Sequence, residues 1–373
     1  MTEDKSTRYH RLRRRAELAG TLGAGACLLA LVSSGGAIRL GTAAEAAASR
    51  LVPGGLEDAG AAALVATAVL LLLHLIEWPF AYYHGFVLER RYGLTAQPRA
   101  RWTRDQLKGA ALSTAVGVAA VSVVYASLRR WPDAWWIVSG SVLAGGLVLV
   151  VRLAPTLLLP LFYTVRPLDR PDLTGRLTAL ASRAGAEVIG VFEWVVSGHT
   201  RKANAALAGL GRTRRILVSD TLLADFSDDE IEVVLAHELA HHVHRDLWRA
   251  MAVQGGLLLT GFLAAHVGLR PLAATLGYRG LADPASVPLL LLFGGAWSLL
   301  AQPVASALSR SRERAADEYA LVVTRRPDAF ISAMRRLAQQ NMAEDRPGPL
   351  ARLFQSHPPI HERLEAARAF TRP

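Results

Sequence analysis

The sequence predicts a mainly α-helical protein that crosses a membrane about six times and carries a smaller polar α+β domain on one side. Three observations lead there. Apolar residues gather in bilayer-length blocks, basic residues alternate between the connecting segments, and one long polar stretch changes to short β-type segments followed by a strongly capped helix. Hydrophobic residues make up 51% of the 373, and the mean hydropathy of +0.24 exceeds that of ordinary soluble domains.

The blocks occupy roughly residues 17–38, 61–80, 109–128, 135–155, 251–267 and 288–308. Each is nearly free of charge and close to the ~20 residues a helix needs to cross the hydrocarbon. Before the first block stand Lys5, Arg8, Arg11, Arg13, Arg14 and Arg15. Because that block is longer than the ~7–15 apolar residues of a secretory signal, it reads as a retained anchor. The formal charge of +11 follows topology. A second basic group, Arg90, Arg91, Arg99, Arg101, Arg104 and Lys108, fills the segment after the second block. The alternate loops hold only Arg39 and Arg50, Arg129 and Arg130, or Arg270 and Arg279. The positive-inside rule then puts both termini and the stretch 164–250 in the cytoplasm, with the chain integral to the cell membrane and the bilayer as a partner. No basic stripe interleaved with aromatics marks a nucleic-acid partner. The lone Cys27 offers neither an internal disulfide nor a cysteine metal site.

Four regions follow: residues 1–163 with four spans, 164–250 as the polar domain, 251–308 with spans five and six, and a C-terminal segment over 309–373. Within the polar domain a helix is expected over about 172–185. Strands are expected at 188–196 and 215–219, with 203–208 pairing with the second across a turn at 209–213. The Ala-rich run at 43–49 reads as a loop. Ser227 and Glu230 spell a capping box, with Phe226 and Ile231 placed for a hydrophobic staple, so a helix starts here.

That helix carries the chemistry. His237, Glu238 and His241 set two imidazoles four residues apart, about 40° off alignment, so that both reach one ion from the same face with a carboxylate alongside. A catalytic zinc takes three protein ligands and leaves one position open for a water that it acidifies, and Glu238 is the general base for that water. His242 lies about 100° from His241 and points elsewhere, as does His244; Asp246 reads as a helix-end residue or as a partner behind a ligand, with no catalytic role. A third ligand must come from another segment. Glu313 and Asp317, just past the sixth block, share a helix face, although taken alone this is an ordinary charged helix. Glu230 lies about 10 Å along the helix axis from His237, and Glu318 sits about 140° around from Glu313.

Seven groups of residues, in order, resemble the integral-membrane zinc metalloproteases typified by the type I CAAX prenyl protease, with the bacterial HtpX protease as a relative. They are Phe86 to Arg90 with Tyr92, Gly93, Leu94, Asp105 and Lys108; Pro155 with Pro160, Leu161 and Phe162; Asn204 and Ala205; Arg215 to Val218 with Asp220 to Leu223; His237 to His241; Ser309 and Arg310 with Glu313 and Asp317; and His357 to Pro359 with Glu362 to Leu364. The resemblance implies a helical membrane chamber with a cytosolic zincin-like domain and one zinc per chain. That zinc would be held by His237, His241 and Glu313, with Asp317 orienting a ligand imidazole. It further implies that Asn204 lies on a strand pairing with extended substrate, and that His357 stabilises the tetrahedral oxyanion. The run from His199 to Lys202 before Asn204 departs from the eukaryotic prenyl proteases, and the chain is shorter.

Three functional classes compete. A transporter using the same spans needs ionisable residues along an intramembrane pathway, and the blocks are almost devoid of them. A structural zinc scaffold closes its site with four ligands and has no use for Glu238. A zinc metalloendopeptidase acting on polypeptides, membrane-associated or lipidated ones included, accounts for all the features. Within that class, processing of a lipidated C-terminus and HtpX-like quality control of membrane proteins both fit the sequence.

Overall fold

The computed structural model describes residues 4–209 and 211–370. Six of its helices are long and apolar enough to cross a membrane. They are α1 (Lys5–Ser33), α3 (Glu57–Arg91), α4 (Arg99–Arg130), α5 (Trp135–Phe162), α9 (Asp246–Thr275) and α10 (Val287–Thr324). Little of their apolar surface is covered by protein. Leu75, Val267 and Leu300 stay 71%, 68% and 74% exposed, which is stable only against lipid rather than water. Both α3 and α5 contain one wide turn, at Tyr83–Val87 and Ala154–Leu158, the first just past Pro79 and the second containing Pro155, each proline removing a ladder hydrogen bond.

One expectation fails here. The Ala-rich run at 43–49 is not a loop but part of α2 (Gly36–Leu51), whose Ala37, Gly41, Ala44 and Ala48 are buried. Their alternating spacing of four and three makes a face of small residues, and such a face packs by close approach rather than by bulk. At Gly41 a Cβ would stand 2.9 Å from the Ala285 Cβ, so only glycine fits.

The polar domain begins with β1 (Thr164–Pro167) and α6 (Pro171–Arg183) and continues through β2 (Val191–Val195), β3 (Ala205–Ala208) and β4 (Arg215–Ser219). These strands form one sheet in the order β1-β2-β4-β3. β2 and β4 are parallel, β1 and β3 antiparallel to their neighbours, and Ala205 stands opposite Val218. The β3 to β4 connection contains a single helical turn at Gly211–Thr213; Leu210, placed by the sequence in that turn, lies outside the described residues. Sequence patterning missed β1, a four-residue edge strand ending in proline, and the short α7 (Asp220–Asp225).

Helix α8 (Asp228–Val243) starts with the capping box expected of Ser227 and Glu230. Ile231, Val233, Leu235 and Leu239 on α8 join Leu173, Leu177 and Leu180 of α6, Ile216 and Val218 of β4, and Phe330 and Met334 of α11 (Pro327–Gln340) in one apolar core. Burying each such side chain stabilises the domain by about 1.5–3 kcal/mol, so α8 is held firmly on the sheet. The chain closes with α12 (Pro349–Phe354) and α13 (Ile360–Phe370).

Candidate active site

Three elements meet at the motif. α8 supplies His237, Glu238 and His241. The far end of α10, beyond its membrane-crossing part, supplies Glu313 and Asp317. The segment around α12 and α13 supplies His357 and Arg363. Helical spacing explains the first two contributions, because residues four apart on α8 and on α10 stand one above the other and the facing stripes interleave.

One nitrogen of His237, one of His241 and one oxygen of Glu313 lie within 4.8 Å of one another. His237 Nε2 is 3.4 Å from Glu313 Oε2, and His241 Nε2 is 3.5 Å from Glu313 Oε1. Tetrahedral ligands at ~2.0–2.1 Å from zinc would be about 3.4 Å apart, so the donor set fits a metal ion. The other ring nitrogens face carboxylates. His237 Nδ1 is 2.9 Å from Asp317 Oδ1, within ion-pairing reach though off the ideal hydrogen-bond line, and His241 Nδ1 is 2.9 Å from Asp246 Oδ2. Carboxylates in these positions fix ring orientation and leave both Nε2 atoms free for a ligand. Arg363 in turn holds Asp317 through two hydrogen bonds of 2.8 and 2.6 Å.

Burial alone would lower the His237 pKa, but the Asp317 and Glu313 carboxylates outweigh it and push the pKa up to about 9. Loading metal at neutral pH therefore requires that a proton leave. Burial raises the pKa of Glu238, with the neighbouring imidazoles opposing it only in part, which makes it a stronger base than an exposed glutamate.

His237, Glu238, Glu313, Asn204 and His357 all line one cavity of about 500 Å³. His357 is well exposed, with Nδ1 2.7 Å from Glu313 Oε2. Asn204 is exposed at the entry to β3. His242 is half-buried, and His244 packs edge-on against Tyr319 at 5.9 Å; neither joins the cluster. Glu318 is exposed, and Glu230 serves its cap and Ser332. Arg363 is the residue at the site to which sequence reasoning gave no role, whereas Asp246, read as a helix-end residue or as one behind a ligand, stands behind His241. Asp246 sits five residues past His241 and beyond the helix end, where helical periodicity says nothing. Arg363 lies within a matched motif, yet only the fold brings it to Asp317.

Comparison with known proteins agrees with this geometry. The family model for peptidase family M48 matches residues 167–371, and that for the CAAX prenyl protease N-terminal region, described as five membrane helices, matches residues 2–164. In this chain that range holds four of the long apolar helices and the 16-residue α2. An uncharacterized metalloprotease, YhfN of Bacillus subtilis, is 28% identical over 291 residues, covering 76% of this chain and 68% of its own. A CAAX prenyl protease 1 homolog of Arabidopsis thaliana is 28% identical over 307 residues, covering 80% and 71%. The crystal structure of S. mikatae Ste24p has the same fold, with a TM-score of 0.83 at 23% identity over 97% of this chain and 88% of that one. With more than half its length matched by one family model and the metal-binding geometry in place, the chain belongs to peptidase family M48 and is a membrane metalloprotease.

Proposed function

We propose that the site holds one zinc ion through His237 Nε2, His241 Nε2 and the Glu313 carboxylate, and that Glu238 is the general base for hydrolysis of internal peptide bonds. The observation that supports this most is the pairing of donors. Both Nε2 atoms converge on Glu313 while each Nδ1 meets its own carboxylate. When bound, zinc supplies an acidified water and polarises the scissile carbonyl. Glu238, its basicity raised by burial, takes a proton from the attacking water and passes it to the leaving amine. His357, at the same cavity, donates a hydrogen bond to the oxygen that becomes negative as the carbonyl is attacked. The free edge of β3 pairs with the extended substrate beside Asn204, a mode that reads main chain rather than side chains.

The residue roles are tested together by measuring zinc in the purified full-length protein and its Glu238→Gln form. Both should carry one zinc, and only the first should cleave peptides; active protein without metal, or loss of zinc on Glu238→Gln, refutes the assignment. The positive-inside pattern supports a cytoplasmic zinc site and cytoplasmic termini in the cell membrane. Cysteines introduced as Asp225→Cys and Glu365→Cys, both exposed, should escape an impermeant thiol reagent in intact cells. The substrates are polypeptides reached from the bilayer. The name of the Arabidopsis relative makes a prenylated C-terminal peptide the first to compare with an unmodified one.

A further inference from the structure

The geometry points to Asn341 as the residue that sets where substrate pairing along β3 must stop. This rests on the reading of β3 as the strand that receives substrate. Among the described residues β3 is the last strand of its sheet and pairs only with β4, so one row of its backbone groups is left without a strand partner, and Ala205 in that row lines the cavity. Main-chain groups alternate sides along an antiparallel strand, and the side each residue faces is fixed by two neighbours. Asn204 turns towards β4: its N–H donates to Ser219 Oγ at 2.9 Å and its carbonyl accepts from Ser219 N at 2.9 Å. Ala203 turns the other way, and there Asn341 meets it. The Ala203 N–H donates to Asn341 Oδ1 at 3.0 Å, and Asn341 Nδ2 donates to the Ala203 carbonyl at 3.2 Å.

A side-chain amide has one donor end and one acceptor end spaced like a peptide group, so Asn341 stands in for one residue of an added strand. With Ala203 taken, alternation leaves Ala205 and Leu207 as the open template. Asn341 also lines the cavity with His237, Glu238 and Ala205, so the stop lies inside the active site. Its own position is fixed. It ends α11, Met342 turns the chain at φ 53°, Gln340 Nε2 donates to the Arg201 carbonyl at 2.8 Å, and His10 Nε2 lies 2.7 Å from the Met342 carbonyl.

Removing the stop frees a third template residue on the same face. Pairing that keeps side chains on their faces can slip only by two residues. The full-length protein in detergent with zinc, given an unstructured peptide library, should cut each wild-type site at a single bond. Asn341→Ala should add products displaced by two residues and, because the freed residue offers the substrate one or two further hydrogen bonds, lower KM by about three- to tenfold, with kcat within about twofold. Asn341→Asp keeps the acceptor for the Ala203 N–H and should give fewer displaced products; it replaces the alanine variant if that one fails to fold by thermal melting. Only products absent with Glu238→Gln are counted. Unchanged products and KM, or a joint fall in kcat and affinity with no two-residue displacement, overturn the role of Asn341. A wild type without any Glu238-dependent product overturns the functional reading, and this proposal with it.

Discussion

The two imidazoles of the site sit in unlike surroundings. His237 has 9% of its side chain exposed and His241 has 27%. Behind His237 stands a closed chain: Asp317, 6% exposed, is gripped by Arg363, itself 14% exposed. Behind His241 stands Asp246, whose nearest cation, Arg249, is 3.8 Å away and 65% exposed. One half of the site is thus held by a buried carboxylate that a buried cation compensates, and the other by a carboxylate just as buried, 8% exposed, that has only a distant, exposed cation and stands behind a ring that water reaches. Buried charged hydrogen bonds are expensive to leave unmade, whereas water replaces exposed ones. The His237 half should therefore carry the rigidity of the site, and the His241 half should yield first.

The largest effect tests whether both halves depend on Glu313, which touches each ring. Glu313→Ala should abolish peptidase activity and zinc retention through dialysis; a variant that keeps both breaks the comparison outright, because neither half then needs the shared ligand. Next in size, Asp317→Ala should lower zinc affinity by about 10–100-fold, as loss of a ligand's hydrogen-bond partner does, and leave Arg363 buried without its partner. Asp246→Ala should do the same more weakly, below about tenfold, because solvent reaches His241. Competition against a fluorescent chelator measures both, and equal losses would mean that burial does not matter here.

A pH series sharpens the point. The metal-free His237 is protonated below about 9, so apparent zinc affinity should rise with pH up to that value, by up to about tenfold per unit from this proton. Asp317→Ala removes a group that holds the proton, so its slope between pH 7 and 9 should flatten. Glu318→Ala, on an exposed face of α10, should leave zinc and activity within about twofold, as surface changes of ±0.5 kcal/mol do.

The six apolar helices and the start of α8 were legible because each depends on local pattern alone: block length for the spans, and Ser227 with Glu230 for the cap. His237, Glu238 and His241 were legible for the same reason. Glu313 was not, since its helix looks like any charged helix until its order among the other matched residues is considered. Asp246 was legible only as one of two readings and Asn341 not at all, because each meets its partner across a chain reversal that no periodicity describes. The Ala-rich α2 was misread as a loop because small residues give little hydropathy signal while packing at backbone distance.

α10 runs 38 residues as one helix, with Pro303 inside it, from the start of its apolar length past Glu313 and Asp317 to Thr324. Taken alone it would be a lever whose fulcrum lies in the bilayer. From the middle of the span to Glu313 is about 15 residues, or ~22 Å at 1.5 Å per residue, so a tilt of about 5° would swing the carboxylate by ~2 Å. Helices tilt to match bilayer thickness, but Ala320 and Leu321 near the far end of α10 lie in the same apolar core as α8. A tilt of the span is thus resisted by the core that α8 and α10 share, and the three metal donors respond to the lipid as one packed unit.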